Sequence, residues 1–330
     1  SVPAINPVNS GTPENPITFK VYPGHNVTVF VSEGQAAIGS NGRNYIIWDG
    51  FAVEMFGRMK GIIIMNAEGC IIQNCEIVGD YVATTDNRDG IRVQSASNII
   101  IRNCCIHDIM GDSWNVCGYK SYYVENVTIE NCEIYNCNTG IFDKDSTKNN
   151  IHRYNFIHDC NCGDCGPGNN ATYTVEIYQN IFHNNGCGVH FNYGSTNCKV
   201  YNNVFYNCKT GISTSPTYGD HQVYNNIFHK VNTLITVKSS PAINYSDYNC
   251  FFNYDKFIIQ YVAKSLLEWQ AQLDFDTHSI SSDPLFLNPE AGDFHLRNNS
   301  PCLNAGIDRQ DYDNDGNTTE SINMGAYITG

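Results

Sequence analysis

Glu125-Asn-Val-Thr-Ile-Glu-Asn-Cys-Glu-Ile-Tyr-Asn-Cys-Asn-Thr-Gly-Ile-Phe-Asp-Lys-Asp145 decides the fold. Val127 and Ile129 alternate with polar residues and run into an Asn-Cys corner. A second short alternation carries Ile134, and the chain restarts at Gly140-Ile141. Such short apolar runs are wrong for a helix and right for a strand. The same sentence is written again upstream and downstream.

Aligned on the residue after the corner, the copies give Cys75, Cys104, Cys132, Asn155, Asn180, Asn203, Asn226 and Asn249. The intervals are 29, 28, 23, 25, 23, 23 and 23 residues. Two positions on stand Ile77, Ile106, Ile134, Ile157, Phe182, Phe205, Phe228 and Phe251. A period in the twenties marks a solenoid. Leucine-rich repeats share that period but need several leucines per unit, and the first leucine here is Leu234. The unit fits a parallel β-helix, one coil per copy. Equivalent residues then stack roughly 4.8 Å apart. An inward Asn at the bend can bond the backbone and its copies above and below, satisfying groups a buried turn would orphan. The competing reading of Asn155 to Asn249 is a row of surface turn asparagines.

A chain of 330 residues with net charge −14 can be one solenoid domain, because stability adds coil by coil. The charge argues against generic nucleic-acid binding. No apolar run reaches the roughly 18 residues of a membrane span. No signal sequence opens at Ser1, as a processed chain would also show. Of the 15 cysteines, Cys75, Cys104 and Cys132 fall in an inward column, and Cys70 and Cys198 replace apolar residues of other coils. Buried free thiols acting as small hydrophobes fit them best. Cys137 with Cys160, and Cys162 with Cys165, are the pairs stacking would let bond. Cys162-Gly-Asp-Cys165 is half a zinc motif without a second pair of suitable spacing.

The opening Ser10-Gly-Thr-Pro-Glu-Asn-Pro-Ile-Thr-Phe-Lys-Val-Tyr-Pro-Gly24 punctuates two strands, Ile17 to Tyr22 and Asn26 to Val31. It resembles the start of secreted bacterial right-handed β-helix proteins of the pectate-lyase-like superfamily. Tyr45 to Val53 reads as the first clear coil, with Phe51 in the Cys75 column, and coils run to about Tyr261. Loops interrupt them at Gly79 to Arg88, Met110 to Asn115 and Asn161 to Ala171. Loops at coil corners are where such folds build sites. Ser265 and Glu268 form a capping box for a helix. Asp283-Pro-Leu-Phe286, Gly292-Asp-Phe-His-Leu296, Ser300-Pro-Cys-Leu-Asn-Ala-Gly306 and Met324-Gly-Ala-Tyr327 resemble the closing segment of the same proteins. The expectation is an all-β right-handed parallel β-helix of about nine to eleven coils over residues 1–262. Residues 1–44 form its entry strands, and 263–330 form a segment that covers the last coil.

Counting two residues on from Gly90, Gly118, Gly140, Gly188 and Gly211 gives Arg92, Lys120, Phe142, His190 and Ser213 as an outward strip. Counting back six from Asn98, Asn126 and Asn150 gives Arg92, Lys120 and Lys144. Lys144 therefore stacks on Lys120 or lies two residues along. Cations on adjacent coils repel unless something anionic sits with them. Asp86, Asp89, Asp143 and Asp145 are the nearby acids, and Asp143 points inward if Lys144 points out.

β-Elimination of a uronic-acid polymer needs this mixture. A Lys or Arg of lowered pKa removes the proton α to the sugar carboxylate, and an Arg or Ca²⁺ neutralises that carboxylate. The resemblance implies such chemistry on outward strands, often with Asp-bound Ca²⁺, and Gly140-Ile-Phe-Asp-Lys144 resembles the lysine motif of one pectate lyase family. Lys144, Lys120, Arg92 and His190 are thus candidate catalytic residues, and Asp89, Asp143, Asp145 and Asn192 candidate substrate contacts. Asp86 and Asp89 are candidate calcium ligands. Asp311, Asp313 and Asp315 make half a structural calcium loop without the Glu at its twelfth position. No organic cofactor is expected. The expected partner is an anionic polysaccharide, met by a secreted or cell-surface monomer.

Other readings stand beside this one. Outward Lys and Arg are also ordinary solvated face residues, and His190 also reads as a stacking histidine. His107, His158, His183 and His229, with Tyr135 and Tyr206, form another outward column that either lines a groove or lies under the C-terminal segment. A glycoside hydrolase of the same fold would pair two of Asp86, Asp89, Asp143 and Asp145, roughly 5 to 9.5 Å apart. A non-catalytic adhesin or tail spike is the third reading.

Overall fold

Residues 3–31, 36–57, 60–166, 174–216, 219–238, 242–311 and 317–328 are described by the computed structural model. The chain winds into a parallel β-solenoid of about nine turns, with one short helix near its C-terminal region. Each strand pairs in parallel with its copy one coil away, as Arg88–Arg102 does with Val116–Glu130. Three faces result. The first holds the strands that follow the restart glycines, the second the strands before the Asn column, and the third the short strands after it. The glycines let neighbouring coils approach on the first face. A Cβ at Gly118 would stand 2.8 Å from the Gly140 carbonyl oxygen.

The corners explain the asparagines. The residue before each column position is left-handed, from Asn74 (φ 55°) through Asn103, Asn131, Asn202 and Asn225 (φ 57°). Asn tolerates that conformation better than most residues. The column itself is an internal ladder. Asn203 Oδ1 accepts the backbone N–H of Asn180 at 2.9 Å and its Nδ2 at 3.1 Å. Asn203 Nδ2 donates to Ile177 O, Tyr201 O and Asn226 Oδ1. The Asn155 to Asn249 column is thus buried, and the surface-turn reading does not hold. Asp276 closes the ladder, taking a 2.8 Å bond from Asn249 Nδ2. The Ile77 to Phe251 column is buried throughout, with Phe182, Phe205 and Phe228 stacked.

All fifteen cysteines are free thiols, and only Cys105 and Cys187 are more than marginally exposed. Cys75, Cys104 and Cys132 line the interior as one column. The helix Leu266–Leu273 carries the capping box of Ser265 and Glu268 and stacks Trp269 on Phe257 at 4.7 Å. Residues after it do more than cover the last coil. Phe286, Phe294, Cys302, Met324 and Ala326 run back along the third face, over Cys250, Ile227, Tyr206 and Val204. His183, Tyr206 and His229 therefore lie beneath this segment, whereas the stack His107, Tyr135 and His158 lies upstream of it.

Candidate active site

The outward strip on the first face is real. Register pairs Arg92 with Lys120, Lys120 with Phe142, Phe142 with Cys165, Cys165 with His190 and His190 with Ser213. Lys144 pairs with Tyr122 and so lies two residues along. Two of the predicted loops wall this strip. Tyr81–Val82 and Met110–Gly111 pair as a small parallel sheet, and Tyr81 Oη donates to Asp112 Oδ1 at 2.6 Å. Arg88 anchors the first loop, being fully buried against Asp80 and the carbonyls of Gly57 and Asp80.

Those loops change the role of Lys120. Its side chain has no exposed surface. Nζ lies 3.1 Å from Asp89 Oδ1 and donates to Asn87 Oδ1 at 3.0 Å and Asn115 O at 2.5 Å. Burial works against the ammonium, but Cys117, Asp89 and Tyr122 outweigh it and hold its pKa above the ordinary lysine value. Lys120 faces outward by register yet is sealed and charged, so it cannot take a proton from a polymer. Asp89 is equally buried and pairs also with Arg92, whose Nε donates to it at 2.6 Å.

Arg92 and Lys144 are the members that reach the surface here. Arg92 Cζ lies 5.2 Å and Lys144 Nζ 5.7 Å from the centre of the Tyr122 ring. Lys144 Nζ donates to Asn115 Oδ1 at 3.1 Å. A fourth cation is Lys60, half-buried one coil upstream in line with Asp89. Burial lowers its pKa, and Arg92 and Lys120 lower it further. Counting only the second residue after each glycine passes over Lys60. It stands directly before Gly61, as Asp89 and Cys117 stand before Gly90 and Gly118. Nothing in the repeat flags Asn87, Asn115 or Tyr122.

The remaining candidates separate. Asp143 faces the interior, fully buried, bound by Ser121 Oγ at 2.6 Å and by Asn150 Nδ2. The strand continues through Lys144, so alternation sends Asp143 inward and away from any ligand. It joins a buried group with His152 and Asp164, where His152 Nδ1 lies 2.7 Å from Asp164 Oδ2. Asp145 is a half-buried corner residue at φ 42°. His190 shares the strip but is four coils from Arg92. Its Nδ1 contacts Ser213 Oγ, and burial, with Lys238, pushes its pKa down to about 4, so it is neutral. Asn192 is half-buried and caps the backbone N–H of Tyr193.

Asp86 and Asp89 do not fit a calcium site. Asp86 is exposed, Asp89 is held in two ion pairs, and no three His, Cys, Asp or Glu side chains among the described residues are arranged to hold a metal ion. Asp313 and Asp315 lie outside the described residues. Among the described residues no helix is long and apolar enough to cross a membrane.

The family model described as "Right handed beta helix region" matches residues 21–205 and 121–266. The chain belongs to this family. No curated protein sequence matches this β-helix protein significantly. Among solved structures it is similar to pectate lyase Pel9A, at 15% identity and a TM-score of 0.60, covering 99% of this chain and 83% of that one. It is also similar to pectate lyase C from Erwinia chrysanthemi, at 13% identity and TM-score 0.35, over 70% of this chain and 62% of that one. The adhesin PfbA of Streptococcus pneumoniae matches at 12% identity and TM-score 0.48, over 73% of this chain and 87% of that one. At 15% identity the likeness to pectate lyase Pel9A concerns the fold alone.

Proposed function

We propose that this β-helix protein is a polysaccharide lyase that cleaves a uronic-acid-containing polymer by β-elimination at the first face. The observation that supports this is a charge imbalance. Lys60, Arg92 and Lys120 gather around one buried carboxylate, Asp89, and Lys144 joins them through Asn115 and Tyr122, in a chain of net charge −14. Lys120 and Asp89 form the sealed floor. Arg92 holds the sugar carboxylate, which makes the α-proton more acidic. A lysine beside it removes that proton, and Lys144 and Lys60 flank Arg92 on opposite sides. The paired-carboxylate hydrolase is less well supported, because Asp89 is tied in ion pairs and Asp143 lies inside the solenoid. This reading places the protein outside the cell or at its surface, where such polymers occur.

The test is a panel of anionic and neutral polysaccharides, read by near-ultraviolet absorbance of unsaturated uronates and by reducing ends. The proposal expects absorbance with an anionic polymer. It also expects Lys144→Ala or Lys60→Ala to lose about 10²- to 10⁴-fold in turnover, with binding largely kept. Reducing ends without absorbance, or full activity in both variants alongside loss in Asp86→Asn, would overturn it.

A further inference from the structure

The strip does not end at the cations. The loop that supplies Asn115 to both Lys120 and Lys144 presents Trp114 immediately before it. Of the three tryptophans, Trp48 and Trp269 are almost fully buried, whereas Trp114 is 54% exposed. Large apolar rings left in water on an otherwise polar face mark contact sites.

Trp114 is not exposed because its loop is loose. Its carbonyl oxygen accepts from Cys117 Sγ and from Thr139 Oγ1, both at 3.2 Å. Two residues earlier, the Asp112 N–H donates to Thr84 O at 2.9 Å. Gly111 is clamped on both sides by the Asn138 amide, at 2.7 Å each way. The backbone is thus fixed from neighbouring coils while the indole stays open. Its ring stands 6.1 Å from the ring of His190, at 55°. From the Phe142 coil, beside which Lys144 sits, His190 is two coils on, roughly 10 Å along the axis at one strand spacing per coil. A fixed flat ring, set beside a cationic cluster along the axis of a solenoid, suits a chain-like anion with apolar ring faces. Holding the ring in advance lowers the ordering cost of binding.

We propose that Trp114 is a stacking subsite that receives a sugar ring of the polyuronate chain next to the ring held at Arg92 and Lys144. His190, held by Ser213, packs beside the indole with ring centres 6.1 Å apart and supports it from the downstream side. Trp114 touches the substrate away from the reacting atoms, so it sets binding and product length and not the chemical step. This assignment rests on the polysaccharide reading but not on the elimination chemistry.

The experiment uses intrinsic fluorescence, because the other two indoles are buried and bonded to Ser40 and Asp276. The intact protein is titrated with short oligomers of galacturonate, guluronate and glucuronate, and with neutral galactan and glucan oligomers. Saturable change of the tryptophan emission by at least one uronate oligomer is expected, and its absence in Trp114→Phe, whose affinity stays within a few fold. Trp114→Ala should weaken that binding about tenfold or more, from lost ring contact. On a polymer that is cleaved, it should raise KM with kcat nearly kept. No emission change with any uronate, or emission changes by neutral oligomers alone, overturns the subsite. Saturable emission change without unsaturated product keeps the subsite and sinks the lyase. Unsaturated product with unchanged KM in Trp114→Ala sinks the subsite and keeps the lyase.

Discussion

Lys120→Met separates a sealed structural cation from a catalytic one. The parent ammonium has three partners, Asp89, Asn87 and Asn115, and no exposed surface. Removing one member of a buried ion pair typically costs about 3–5 kcal/mol, since the other charge is left uncompensated. Arg92 still faces Asp89 in the variant, so the loss should fall at the low end, about 3 kcal/mol. With a urea m-value of about 3 kcal/mol/M, the midpoint drops by roughly 1 M. Asp89→Asn should also destabilise, and the double variant should lose less than the sum, with a coupling of about 1–3 kcal/mol. Equilibrium urea unfolding of the four proteins measures this. Turnover per folded molecule, assayed well below the variant's midpoint, should fall less than tenfold, against about 10²-fold or more for a lost base. An unchanged midpoint with turnover down by that larger factor would refute the reasoning and return Lys120 to the chemistry.

Three further outcomes follow from the interior. Asn203→Ala orphans the buried N–H of Asn180 and takes donors from Ile177 O and Tyr201 O, so it should cost about 2–4 kcal/mol in urea unfolding. Asn244→Ala, an exposed control, should stay within about 0.5 kcal/mol. Burial alone would lower the His152 pKa, but Asp164 and Asp143 outweigh it and lift it to about 10, above the unfolded value of 6.5. Its stabilisation is complete below pH 6.5 and is lost as pH rises toward 10, so unfolding free energy should fall by about 1.4 kcal/mol per unit between pH 7 and 8. A flat profile there contradicts a charged His152. In native labelling with a thiol reagent, Cys105 and Cys187 should react first, and slowly, because burial and the Glu133 and Glu76 carboxylates push the Cys105 thiol up to about 11. Rapid modification of Cys75, Cys104 and Cys132 contradicts their interior column.

Period and column identity made the fold legible, because a coil must place the same residue type at the same bend every turn. The Asn ladder, the aromatic stack and the Arg92–Lys120 alignment all follow from counting. What counting cannot supply is depth. Outward direction made Lys120 look available, and only the packing of Asn87 and Asn115 from two irregular loops seals it. The reverse holds for the C-terminal segment. Its punctuation was legible, but its run along the third face depends on contacts such as Asn202 Nδ2 to Asn323 O, which no repeat encodes. The inward Asp143 was legible from alternation. Its partners His152 and Asp164 were not, since they come from different faces and meet only in the interior.

The Asn ladder divides the molecule into two materials. From Asn180 to Asn249 the ladder repeats every 23 residues, each coil handing the same pair of hydrogen bonds to the next, until Asp276 terminates the series. Upstream, where cysteines replace the ladder, coil length varies and the loops of the cationic site emerge. One further 23-residue coil inserted in the ladder would lengthen the rod by one strand spacing, roughly 4.8 Å, and leave the cationic cluster upstream in place. Rod length and the cationic cluster are therefore set by different parts of the chain, open to change by different kinds of mutation.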